Sequence, residues 1–170
     1  MVLIEIVYIC TYVPLSMILQ RKTTSSLDIM STKTLTHRTP HNTTYSYVFL
    51  EPIASKPWLL FLHGFPETSY DWTNQTTHFA QEGYGIICPD LLGYGGTDKP
   101  TDVGSYRLKK MAEEVLSIVD HHGIEQVVGI AHDWGCGLLS TMSSHFQDRF
   151  SAFAFLAIGE HSWHTTGACR

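Results

Sequence analysis

The chain has 170 residues with 44% hydrophobic content, enough for one domain with a sizeable core. A formal net charge of −5 and the lack of any basic run argue against nucleic acid and anionic membrane as partners. Four cysteines (Cys10, Cys88, Cys136 and Cys169) stand far apart without a CxxC pair, which argues against a zinc site or a disulfide framework and favours a reducing compartment, the cytoplasm.

Met1 to Gln20 is apolar but interrupted by Glu5 and Pro14. It lacks the basic start and cleavage site of a signal peptide and is barely long enough to span a membrane. Arg21 to Ser31 is polar and linker-like, and Met30 precedes a segment that reads as a domain start. Residues 1–29 are therefore expected to be an extension upstream of the true start, with a membrane anchor over residues 1–20 as the alternative.

Lys33–Arg38 and Thr44–Leu50 alternate polar and apolar residues around Thr39-Pro40-His41-Asn42, the pattern of a β-hairpin. Trp58–Leu62 is a continuous apolar run, a buried parallel strand. A helix is expected from Trp72 to a stop at Gly83, then a buried strand Tyr84–Cys88 ended by Pro89. Asp90–Gly104 is a long loop rich in Gly, Asp and Pro. Ser105–His122 reads as an amphipathic helix with Leu108, Met111, Ala112, Val115 and Val119 inside, Glu113 and Glu114 outside, and His121-His122 at the end where cations suit the dipole. Ten histidines show no HExxH spacing, so no metal site is expected. Val127–Ile130 is a further buried strand, followed after Gly135 by a helix running to about Gln147, and Phe153–Ile158 is the last strand. Strands alternating with helices imply a parallel α/β sheet with right-handed crossovers.

Two stretches carry chemistry. Between strand Val127–Ile130 and its helix, Asp133 stands at the apex of a sharp turn with small residues at Ala131 and Gly135. A nucleophile elbow holds its central residue in a strained backbone conformation, and larger flanking residues would collide with the facing elements. The plainer reading is that Asp133 caps the following helix. The second stretch, His63-Gly64-Phe65-Pro66, directly follows strand Trp58–Leu62. Gly64 permits a tight turn and Pro66 stiffens it, and the plainer reading is an ordinary strand-to-helix loop.

The motifs His63 to Trp72 (HGFPETSYDW), Pro89 to Pro100 (PDLLGYGGTDKP) and Gly129 to Gly135 (GIAHDWG) resemble the epoxide hydrolase branch of the α/β hydrolase superfamily, and look most like its soluble fungal and plant members. The resemblance implies an α/β-hydrolase fold, a mostly parallel sheet with helices on both faces. It implies Asp133 as nucleophile, with the backbone amides of Phe65 and Trp134 as the oxyanion hole and His63, Gly64, Pro66 and Gly135 as supporting motif residues. The substrate implied is a small-molecule epoxide, without metal or cofactor; Gly93–Gly96 lacks the GxGxxG spacing of a phosphate loop. Asp133 would open the ring to give an alkyl-enzyme ester, which water would then cleave to a diol.

In the family, the lid with its two acidic tyrosines, the general-base His and its acidic partner all lie beyond the last strand present here. The residues after Gly159 do not resemble the family's continuation, and His161 and His164 follow the strand too closely to be that base. The expected organisation is an extension (1–29), the N-terminal part of a hydrolase core (30–159) lacking the C-terminal strands and lid, and a foreign tail (160–170), with no multiple turnover by the chain alone. Two alternatives stand beside the epoxide reading: an Asp-nucleophile dehalogenase and a non-catalytic fragment. Haloalkane dehalogenases carry a polar halide ligand at the position of Phe65, and fluoroacetate dehalogenases tend to have Arg at that of Trp134, so this chain leans to the epoxide side. A Ser esterase is disfavoured because no GxSxG occurs.

Overall fold

The computed structural model describes residues 32–156, so the expectations for 1–29 and 160–170 lie outside the described residues. The hairpin forms as its alternation requires: β1 (Lys33–Arg38) pairs antiparallel with β2 (Thr44–Leu50). Asn42 takes the turn at φ 68, a left-handed conformation that Asn tolerates, and its Oδ1 accepts from Nε and Nη2 of Arg38.

Four apolar strands follow: β3 (Trp58–Leu62), β4 (Gly85–Pro89), β5 (Val127–His132) and β6 (Phe150–Leu156). The sheet order is β1-β2-β4-β3-β5-β6, antiparallel from β1 to β4 and parallel from β4 to β6. The helices are α1 (Thr73–Gln81), α2 (Leu108–His121) and α3 (Trp134–His145). Right-handed crossovers decide which face each covers. The step from β3 to β4 moves one way along the sheet, whereas β4 to β5 and β5 to β6 move the other way. Accordingly α1 covers one face, and α2 and α3 cover the opposite one. Alternate residues of β3 separate the two cores: Leu60 and Leu62 pack with Val115, Leu138 and Leu139, while Leu59 and Phe61 pack with Trp72 and Phe79. Each fully buried aliphatic side chain contributes about 1.5–3 kcal/mol relative to exposure.

The structure corrects several boundaries. The helix expected from Trp72 splits into a 3-10 turn, Ser69–Trp72, and α1 from Thr73; a Thr68 cap bonded to the Tyr70 amide opens it. A 3-10 turn over Val103–Tyr106 precedes α2, which begins at Leu108. Helix α3 ends at His145, because a short turn (Gln147–Arg149) leads into β6, which starts at Phe150 rather than Phe153.

Tertiary packing overturns the outward placing of Glu114 and acts against the dipole at His122, which does stand at the helix end. Glu114 is fully buried, with its carboxylate accepting the Thr43 and Tyr45 hydroxyls of the β2 hairpin. His122 stacks on Phe49 and lies 2.9 Å from the Tyr47 hydroxyl; burial, together with His121 and His37, lowers its pKa, opposing the positive charge that the helix end favours.

Candidate active site

The register between β3 and β5 builds the site. Leu62 pairs with Ala131 in parallel, so two residues further on Gly64 meets Asp133 at the carboxyl ends of neighbouring strands. The sheet order reverses direction at β3, and the crevice beyond such a point is where open α/β sheets place ligands. A Cβ on Gly64 would lie 2.6 Å from Cβ of Asp133, so only glycine permits the approach.

Asp133 has φ 49 and ψ −123, a conformation rarely adopted by residues with a side chain. Such strain costs about 1–3 kcal/mol and persists only where its surroundings enforce it. Those surroundings are visible. A Cβ on Gly135 would lie 2.5 Å from the carbonyl oxygen of Leu62 and 2.7 Å from that of His63, and Ala131 is completely buried.

The Asp133 side chain makes no hydrogen bond to the helix it precedes. The capping interpretation is thereby corrected: the Phe65 amide, from the other motif, donates to Asp133 Oδ2 at 3.0 Å. Asp133, Phe65 and Trp134 are all exposed, the latter two by 59% and 67%. Trp134 opens α3, where the first amides of a helix lack an intrahelical acceptor and the dipole favours negative charge. Cys136, in the first turn of α3, points inward to the Ala131 carbonyl oxygen at 3.3 Å. Burial pushes its thiol up to about 11, which keeps it protonated at neutral pH.

His63 is completely buried beneath the loop. Its Nε2 accepts the Leu91 amide at 2.8 Å, and its Nδ1 lies 2.8 Å from the Gly64 carbonyl oxygen. Burial lowers its pKa against the pull of that carbonyl and of Asp90, Glu67 and Asp71. The Phe65–Pro66 peptide bond is cis. Asp90 anchors the neighbouring loop by accepting the Ser69 and Gly96 amides. Burial alone would raise its pKa, but these donors outweigh burial and hold the carboxyl below its ordinary value.

Two residues to which the sequence reading gave no role also belong here. Glu67 accepts the Gly64 amide at 2.7 Å, and its carboxylate lies 3.3 Å from Nδ1 of His132, the neighbour of Asp133. The available signal was a carboxylate three residues after Gly64 and a His adjoining the apex.

Among the described residues no cluster of His, Cys, Asp and Glu is arranged to hold a metal ion, and no helix is long and apolar enough to cross a membrane. A shallow groove of about 370 Å³ lies at the other end of β5, beside Asp120, Ile124 and Arg149, far from this carboxylate.

The sequence profile described as alpha/beta hydrolase fold matches residues 57–169. The chain belongs to the alpha/beta hydrolase family. Within this family its relatives include "Epoxide hydrolase 2" of Siraitia grosvenorii, 38% identical over 106 residues, covering 62% of this chain and 34% of that protein. "Epoxide hydrolase A" of Mycobacterium tuberculosis is 32% identical over 102 residues, covering 60% of this chain and 32% of that protein. A crystal structure of an epoxide hydrolase from Vigna radiata superposes with a TM-score of 0.70 at 28% identity, covering 76% of this chain and 39% of the other. The chain thus spans about a third of the length of the curated relatives it matches.

Proposed function

We propose that the chain carries the nucleophile half of an epoxide hydrolase site, with Asp133 as the attacking carboxylate. A carboxylate is ionised at neutral pH without a helper base, which suits it to attack a strained ring. One Asp133 oxygen forms a bond to an epoxide carbon, the carbon–oxygen bond of the ring breaks, and the ring oxygen leaves as an alkoxide that takes up a proton. The product is an alkyl ester of Asp133. Water then adds to the ester carbonyl, the acyl–oxygen bond breaks, and a diol leaves as the carboxylate re-forms. The amides of Phe65 and Trp134 face the charge of the tetrahedral intermediate in this second step. The protein's small-molecule partner on this reading is the epoxide.

The observation that carries the reading is the direction of the Asp133 carboxylate, away from its own helix and onto the Phe65 amide at 3.0 Å. The test is to expose the protein to a reactive aryl epoxide and, in parallel, to a haloalkane. Ester formation with the epoxide and no halide release supports the epoxide assignment. Halide release without an epoxide adduct moves the assignment to a dehalogenase. A folded protein that reacts with neither refutes both.

A further inference from the structure

The Phe65 amide and the Gly64 carbonyl belong to one peptide unit. That unit is trans and planar, so its N–H and C=O point in opposite directions, and whatever fixes one aims the other. The Phe65 N–H faces Asp133, while the Gly64 oxygen faces Nδ1 of His63 at 2.8 Å.

The protonation pattern of His63 follows from its neighbours. The Leu91 N–H can only donate, so Nε2, 2.8 Å away, accepts and carries no proton. The proton of the neutral ring therefore sits on Nδ1 and is donated to the Gly64 oxygen. Leu91 is held in turn by Asp90, whose amide donates to the Ser46 oxygen at 2.9 Å and whose carbonyl accepts the Thr97 hydroxyl. The Gly64 amide is already occupied by Glu67, so Phe65 supplies the loop's inward-facing donor.

We infer that His63 is the positioning residue of this site: its Nδ1–H holds the Gly64 carbonyl and thereby sets the Gly64–Phe65 peptide so that the Phe65 N–H meets Asp133. The inference rests on the proposed function only in what the Phe65 donor is for. His63 touches no reacting atom.

Two substitutions separate the two ring nitrogens. In His63→Asn the side-chain amide stands near the place of Nδ1 and can still donate to the Gly64 oxygen. In His63→Gln the side chain reaches toward Leu91 and leaves the Gly64 oxygen without its donor. The readout is the proton shift of the Phe65 amide in the full chain at one neutral pH, with and without Asp133→Ala. In the wild type, removing the carboxylate moves this resonance upfield as its hydrogen bond is lost. His63→Asn is expected to keep that response. His63→Gln is expected to lose it while the amide spectrum of the sheet is retained. A full response in His63→Gln, or equal loss in both variants with the sheet intact, overturns the inference. Nitrogen shifts of the wild-type ring give a test that needs no variant: a proton on Nε2 instead of Nδ1 overturns it, whether or not the variants fold. Epoxide treatment of the wild type keeps the two readings apart, because absence of an Asp133 adduct refutes the proposed function and leaves the amide result standing.

Discussion

The amide nitrogen of Phe65 lies 3.0 Å from Oδ2 of Asp133 across 68 residues of sequence. Parallel pairing of β3 and β5 makes the contact, and the missing side chain of Gly64 makes room for it. Gly64→Ala is therefore expected to push the loop off Asp133 and to cost about 1–3 kcal/mol, the usual range for forcing an extra methyl into a packed site. Chemical denaturation measures the cost, and the Phe65 amide resonance reports the loss of contact.

Gly135 and Gly137 share helix α3 but differ in what a side chain would meet. At Gly135 a Cβ would strike the backbone carbonyls of Leu62 and His63, whereas at Gly137 nothing lies within 4 Å. Gly135→Ala is expected to destabilise by about 1–3 kcal/mol or more. Gly137→Ala is expected to stabilise by about 0.5–1 kcal/mol, through helix propensity and a less disordered unfolded chain. Opposite shifts in melting temperature check the pair.

Strain at Asp133 can be isolated by comparing two variants that both lack the carboxylate. Glycine adopts φ 49 freely and alanine does not. Asp133→Gly is expected to be more stable than Asp133→Ala by about 1–3 kcal/mol, the cost of holding a residue with a side chain in a sparsely populated backbone conformation. Equal stabilities would show that the turn relaxes.

Stability should fall on acidification. His63, His37 and His122 have lowered pKa values in the fold, in each case because burial disfavours the cation. The unfolded histidines take up protons near 6.5 while the folded ones resist, so their contribution is complete above that pH and declines below it. Asp90 acts in a lower window with the same sign: its carboxyl is held below 3.8, so its contribution is present above that value and is lost as acid protonates the folded group. Around His63 the opposing charges are Asp90, Glu67 and Asp71; around His122 they are Glu51 against His121 and His37. The urea midpoint is expected to drop between about pH 7.5 and about pH 5.5, with a further fall below about pH 4. A midpoint that rises on acidification contradicts this assignment.

The element order and the apex residue could be read from local signals: apolar runs for the strands, small residues around Asp133, and the HGFP stretch behind β3. What could not be read depends on contacts between distant segments. The periodicity of α2 puts Glu114 outside, yet the β2 hairpin supplies hydroxyls that draw it into the core. The register that sets Gly64 against Asp133, and the tautomer of His63 fixed by Leu91, arise only when three strands are side by side. The start of β6 at Phe150 is set likewise by pairing with Val127, which no pattern near Phe150 announces.

The central claim is that Asp133 is a nucleophile, and the most direct measurement is intact-mass analysis with peptide mapping after treatment with a reactive aryl epoxide. The expected result is one added epoxide mass, mapped as an ester on Asp133 and absent from Asp133→Ala. A folded protein that stays unmodified, or an adduct placed on a cysteine or histidine while Asp133 remains free, would contradict the account.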